Sequence, residues 1–209
     1  MKQRTALYVV ILALSVIAQA KSTKLVASVK NPGYSGAPLH RILIIGISHD
    51  PALRLDFEDA MAAQLTTDKI EAIPAHTILL RAEGSDLDVN YLKAQIAEHK
   101  IDGIIVSRLL HIAKDVTYIS GHSYTIPYPY YRSFYGYYPT VYRQVYSPDY
   151  LREDKTVRIE TNVYSTDTPE GELVWTGISD TFNPKSAPKV IEGVVKLAAK
   201  ELEKESILQ

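Results

Sequence analysis

Residues 41–65 read RILIIGISHDPALRLDFEDAMAAQL, and this stretch decides the fold. Arg41 to Ile47 is a short, continuous apolar run rich in β-branched residues, the pattern of a strand covered on both faces. Asp50 then offers a helix N-cap, with Pro51 at the first helical position. Leu53, Phe57, Ala60, Met61 and Leu65 follow at helical spacing, and the helix is expected to end near Thr67. A buried strand feeding directly into an amphipathic helix is the first half of a strand-helix-strand unit.

The chain continues that unit. Residues 71–80 carry a second strand interrupted by Pro74. Asp86 or Asp88 can cap a second helix, whose Val89, Leu92 and Ile96 form one apolar stripe. That helix is expected to stop at residues 100–103, KIDG, with Gly103 ending it. A third strand spans residues 104–113 and is able to continue toward Tyr118. Upstream, residues 21–40 form a lead-in where LVASV can make a short edge strand before Pro32, Gly33, Gly36 and Pro38 break it.

The last third changes character. Residues 156–164 alternate strictly, with Val157, Ile159, Thr161 and Val163 on one side and Arg158, Glu160, Asn162 and Tyr164 on the other. Residues 165–171 form a turn, and 173–182 return as the hairpin partner with the only tryptophan, Trp175. A final helix begins near Ser186 to Pro188 and turns Val190, Ile191, Val194, Leu197, Ala198 and Leu202 to one face. The expected fold is an α/β (α+β) sandwich. It has a mixed sheet of about five strands with helices packed on it, in the order β-α-β-α-β-insertion-β-β-α.

The insertion, residues 118–150, holds eleven of the fifteen tyrosines and almost no charge beyond Arg132, Arg143 and Asp149. Tyrosine combines a large apolar ring with a hydroxyl, so a cluster of them suits a wetted contact surface. Three readings stand side by side. Tyr128, Tyr130, Tyr131, Arg132, Tyr135, Tyr137 and Tyr138 form a binding surface; or the same rings pack on their own domain; or the segment is a low-complexity loop semi-extended by Pro127, Pro129 and Pro139. Within it, TVYRQVY fits a strand and a helix equally well.

Residues 1–20 follow the layout of a secretory signal peptide: Lys2 and Arg4, an apolar core, then Ala18-Gln19-Ala20. The core is short of the roughly 20 residues that span a bilayer, so cleavage near Ala20 and a periplasmic or secreted location are expected, with no transmembrane domain. The domain division is thus 1–20 signal, 21–40 lead-in, and 41–209 a single α/β domain. Without Lys2 and Arg4 the chain keeps twenty-one basic against twenty-four acidic residues, which argues against a nucleic-acid partner. The absence of cysteine removes disulfides, thiolate metal sites and cysteine nucleophiles.

Catalytic signals are sparse. Gly46-Ile47-Ser48-His49-Asp50 partly matches the G-x-S-x-G nucleophile elbow, with Asp50 in place of the second glycine. Gly46 as a packing position and Ser48 and Asp50 as helix caps explain the same residues, and a secreted serine hydrolase is the lesser reading. The six histidines show no i, i+4 pair and no H-E-x-x-H, so no metal site is expected. His111 reads as a hydrogen-bonded sheet residue. Glu58 and Asp59 are neighbours on the first helix and read as a solvated face, not as an acid-base pair. No phosphate-binding loop is present, so no cofactor is expected.

The opening RILIIGISHDPALRLDFEDAMAAQL, the KIDGIIVSRL strand entry and the closing VRIETNVYSTDTPEGELVWTGISDTFNPKSAPKVIEGVVKLAAKEL together resemble a family of uncharacterised bacterial envelope proteins, many of them lipoproteins. The topology is also similar to the amino-terminal domain of the TolB translocation protein. The resemblance implies a non-enzymatic envelope protein with a contact or assembly role and an aromatic insertion. It brings no catalytic residues, and this chain lacks the lipidated cysteine of the lipoprotein members. The expected partner is an envelope protein; a cell-wall glycan, peptidoglycan or exopolysaccharide, is the alternative.

Overall fold

The computed structural model describes residues 23–79, 89–119, 150–168 and 171–208. These form a six-stranded mixed sheet with helices packed on it. The elements are β1 (Thr23–Lys30), β2 (Arg41–Ile47), α1 (Pro51–Leu65), β3 (Glu71–Pro74), α2 (Ala75–Ile78), α3 (Val89–Glu98), β4 (Gly103–Ile119), β5 (Tyr150–Ser165), β6 (Glu172–Phe182) and α4 (Ala187–Lys204). The sheet order is β1-β6-β5-β4-β2-β3. β2 pairs in parallel with β3 and β4, and the other neighbours are antiparallel. The α/β class and the element order read from the sequence hold. The sixth strand comes from the lead-in, where β1 pairs along β6 from Thr23↔Thr181 to Lys30↔Trp175.

β2 is apolar because water reaches neither of its faces. Ile42 and Ile44 enter the main core with Phe57, Met61 and Leu65 of α1 and Val194, Ala198 and Leu202 of α4. Leu43 points the other way, into a smaller core with Ile73, Leu79 and Ile101 against which Tyr91, Leu92 and Ile96 of α3 pack. One face therefore carries α1 and α4, and the other carries α3. Val89, expected in the α3 stripe, is 56% exposed; Tyr91 packs in that face instead and its hydroxyl donates to Ile78 O at 3.3 Å.

Two local readings are corrected. The strand expected over 71–80 stops at Pro74, which has no N–H for the ladder, and the chain turns into α2. Gly103 does not end α3. The cap is a Schellman motif with Lys100 in the left-handed region at φ 51, Ile101 N–H donating to Ile96 O and Lys100 N–H to Ala97 O. Gly103 instead opens β4 where the backbone passes Leu39: a Cβ there would lie 2.8 Å from Leu39 Cδ1.

Glu58 is the largest departure from the sequence reading. It is fully buried, not solvated. One carboxylate oxygen accepts from Gly46 N–H at 3.1 Å, and the other lies 2.9 Å from both the His76 N–H and His76 Nδ1. Asp59 stays on the exposed side, with Oδ1 3.3 Å from His76 Nε2. The carboxylate so ties α1 to the end of β2 and to the start of α2.

On the α3 face, Arg158 and Asp180 sit opposite each other on β5 and β6 and form two hydrogen bonds of 2.7 Å. The Arg158 guanidinium, against the opposing effect of burial, holds the Asp180 carboxyl below the usual carboxylate range.

Two outcomes follow for stability. Glu58→Leu strands the Gly46 and His76 N–H groups and is expected to cost about 2–4 kcal/mol, whereas Glu58→Gln keeps an acceptor and costs about 1 kcal/mol. Urea unfolding reads both, and a Leu variant as stable as the parent removes the carboxylate from its structural role. For Asp180, whose folded-state pKa is depressed, the stabilisation is complete above about pH 4 and is lost as pH falls through the lowered folded value. Asp180→Asn should therefore flatten the acid limb of the stability profile; an unchanged limb rules this pair out as a source of acid sensitivity.

Candidate functional site

Strand direction brings two helix starts to one edge. β4 and β2 are parallel, β5 runs against β4, and β6 runs against β5, so β2, β4 and β6 all end at the same edge of the sheet. α1 leaves β2 there and α4 leaves β6 there. Their later turns converge on the core, and Leu208, beyond α4, bridges back to Leu39 just before β2. Their first turns stay apart, leaving a cleft of about 270 Å³ over the sheet. It lies beyond the carboxyl ends of parallel strands, where open α/β sheets bind ligands.

The floor of the cleft is Gly46 at the end of β2, Ser107 and Leu109 of β4, and Val157 and Ile159 of β5. Ser107 is buried and its hydroxyl is 2.8 Å from Thr161 Oγ1. One wall is Leu53, Arg54 and Phe57 of α1; the other is Val190, Ile191 and Val194 of α4. Gly46 admits the α1 wall, because a Cβ there would stand 3.3 Å from both Arg54 Cγ and Phe57 Cδ1.

The strap between β6 and α4, with Pro184, Lys185 and Ser186, closes a third side. Asn183 sets it in place from the left-handed region, φ 45. Its N–H donates to Lys155 O, its side-chain oxygen accepts from Lys155 N–H, and its side-chain NH₂ donates to Asp154, each at 2.7 Å. Asparagine tolerates that conformation better than most residues.

A bulge in β4 completes the floor. The pairing shifts between Leu109↔Ile159 and His111↔Arg158, so Ile112, opposite Val157, joins Leu109 on the cleft side. Leu109 and Ile112 are 48% and 46% exposed, an unusual openness for apolar residues that line a concavity. His111 is exposed at this bulge.

The cleft is electrostatically one-sided. Among the described residues its lining contains Arg54, Arg108, Lys155 and Lys185 and no aspartate or glutamate. Arg108 is paired to Glu160 at 2.6 Å. Arg54, Lys155 and Lys185 have no ion-pair partner among the described residues. The first turn of α1 is capped by the Asp50 carboxylate, which accepts from Ala52 and Leu53 N–H, while Ser186 at the head of α4 makes no side-chain cap.

The sequence-derived candidates fare unevenly. Tyr128, Tyr130, Tyr131, Arg132, Tyr135, Tyr137 and Tyr138 lie outside the described residues, as do the proposed signal and its cleavage site. Ser48 lines the cleft, exposed, with its hydroxyl accepting from Asp50 N–H at 3.1 Å; it braces the turn before α1, whose cap is Asp50 alone, and no histidine is hydrogen-bonded to it among the described residues. Among the described residues no group of three or more histidine, aspartate or glutamate side chains is placed to hold a metal, and no helix is long and apolar enough to cross a membrane.

No protein-family model matches the chain. No curated protein matches it either. Among solved structures, the PelC dodecamer from Paraburkholderia phytofirmans is similar with a TM-score of 0.44 and 9% identity, covering 90% of this chain and 99% of that one. A singly substituted form of the same dodecamer gives a TM-score of 0.43 and 11% identity over 88% of this chain and 97% of that one.

Proposed function

We propose that this chain is an exported, non-enzymatic module of the bacterial cell envelope that docks to an envelope protein through residues 120–149. One observation carries the reading. Among the described residues, β4 and β5 pair with each other alone from Lys114↔Lys155 to Ile119↔Tyr150: β2 leaves β4 at Arg108 and β6 leaves β5 at Thr156. These six pairs make a two-stranded ribbon about 20 Å long, running out past the rest of the sheet.

A ribbon of two strands gains little stability by itself. Its residues point the same way: Val116 is 61% exposed, and Lys114 pairs with Glu153 at the surface. The two central strands extend this far without cover from any other described element, an investment of structure in reach, and the tyrosine-rich segment joins them. The layout of residues 1–20 supports export, and the resemblance to envelope proteins supports the compartment.

The test replaces residues 120–149 by Asn-Gly, which suits a two-residue hairpin turn, and places a photo-crosslinking amino acid at Val116. The shortened chain is expected to keep its melting temperature and to lose its crosslink to a specific envelope protein in intact cells. An undiminished crosslink defeats the docking role. Co-sedimentation of the full chain with purified, protein-free cell wall, lost on shortening, transfers the surface from a protein to a glycan partner.

A further inference from the structure

We infer that the cleft between α1 and α4 binds a single-chain anionic amphiphile, its carboxylate or phosphate head held at the α4 end by Lys155 and Lys185 together with Arg54, and its aliphatic tail laid along Phe57, Leu109, Ile112 and Val190. The site is separate from the ribbon tip and independent of what docks there.

Three features of the cleft select this class of ligand. The walls are aliphatic, contributed by α1, α4 and the sheet, with Phe57 the only aromatic ring in the lining among the described residues. A nucleotide or a planar ligand would find nothing to stack between, while a flexible hydrocarbon chain is well served by such a surface. Among the described residues the neutral polar side chains of the lining are three serines, too few to orient a sugar: Ser107 is bonded to Thr161 and Ser48 accepts from Asp50, which leaves Ser186.

The charge selects the head. Among the described residues, three cationic side chains surround an apolar concavity that has no carboxylate in its lining, and none of the three has an ion-pair partner. Elsewhere on the described surface basic groups find acids readily: Lys189 and Lys196 share Glu192, Lys204 has Glu201 and Arg41 has Glu71. The head of α4, where Ser186 makes no side-chain cap, adds a partial positive charge at the same mouth. Long basic side chains also lay their methylene stems on apolar surface while keeping the charge at the rim, so Arg54 and Lys155 extend the tail site and define its polar end together.

The tail has room to run outward. Leu109 and Ile112 remain nearly half exposed because no described element covers them, and the bulge between them turns both to the cleft side.

Isothermal titration of the full chain with dodecanoate tests the assignment, with dodecyl phosphate, dodecanol, dodecyltrimethylammonium and inorganic phosphate as companion probes. Dodecanoate and dodecyl phosphate are expected to bind, dodecanol at least tenfold more weakly, and the cationic amphiphile and free phosphate not measurably. Lys155→Glu, a rim change that leaves the core alone, should weaken dodecanoate at least tenfold, and Val190→Trp should abolish binding by filling the cleft. Equal affinity for dodecanoate and dodecanol overturns the charged head site. Should Val190→Trp fail to fold, Lys155→Glu still decides: unchanged dodecanoate affinity in that variant overturns the proposal. The chain shortened at residues 120–149 should bind dodecanoate as the parent does; loss of binding there places the site outside the cleft.

Discussion

A buried carboxylate sets the geometry on which the rest of the domain builds. With no water to reach it, Glu58 finds its hydrogen bonds inside: Gly46 N–H at the end of β2, and the N–H and ring of His76 at the start of α2. Those partners lie on β2 and α2, so one side chain of α1 fixes how that helix lies over the sheet and where the chain turns after β3. Breaking such an arrangement by removing the acceptor costs more than the arrangement is worth against an apolar core. Its use here is positional. Gly46 is the floor of the cleft, and Phe57, the residue before Glu58, is its wall.

Strand direction then does for the whole face what Glu58 does locally. Because the β4-β5-β6 part of the sheet is antiparallel, β6 ends at the same edge of the sheet as β2 and releases α4 next to α1, both helices heading back across the same face. Helices that start together and converge in the core leave space between their first turns. That space inherits positive partial charge from the uncapped head of α4, a floor of strand ends, and the rim lysines of the strap. The α1 head contributes less, since Asp50 already answers its amides.

Much of this architecture was legible in the residues. RILIIGI announced a strand covered twice, the alternation of residues 156–164 announced one with a wet face, and the α4 stripe matched the buried set of Val190, Val194, Ala198 and Leu202. What escaped reading shares a cause: it depends on partners far along the chain. Glu58 lies in the stripe of Met61, Ala62 and Leu65 at i+3, i+4 and i+7, a signal present in the spacing but overridden by its charge. Lys100 takes the left-handed cap position although Gly103 is three residues away, because Gly103 is needed where Leu39 crosses. β1 forms along its full length only because β6 offers an edge. The cleft itself could not be read, since its lining comes from five separate stretches of chain.

The β4 bulge joins the two surfaces. Side chains alternate along a strand, so in a regular β4 Leu109 and Ile112 would face opposite sides. The shift between Leu109 and His111 inserts one residue into that count and brings Ile112 opposite Val157. Everything beyond it is rephased as well: Lys114 and Val116 follow Ile112 onto the α1 and α4 side, and the ribbon continues the face that floors the cleft. One extra residue in a strand thus decides both that the cleft has an apolar exit and which side of the ribbon continues it. A change that removed the bulge would leave the helices and the core of β2 in place, while turning Ile112, Lys114 and Val116 to the opposite face and closing the path between cleft and ribbon.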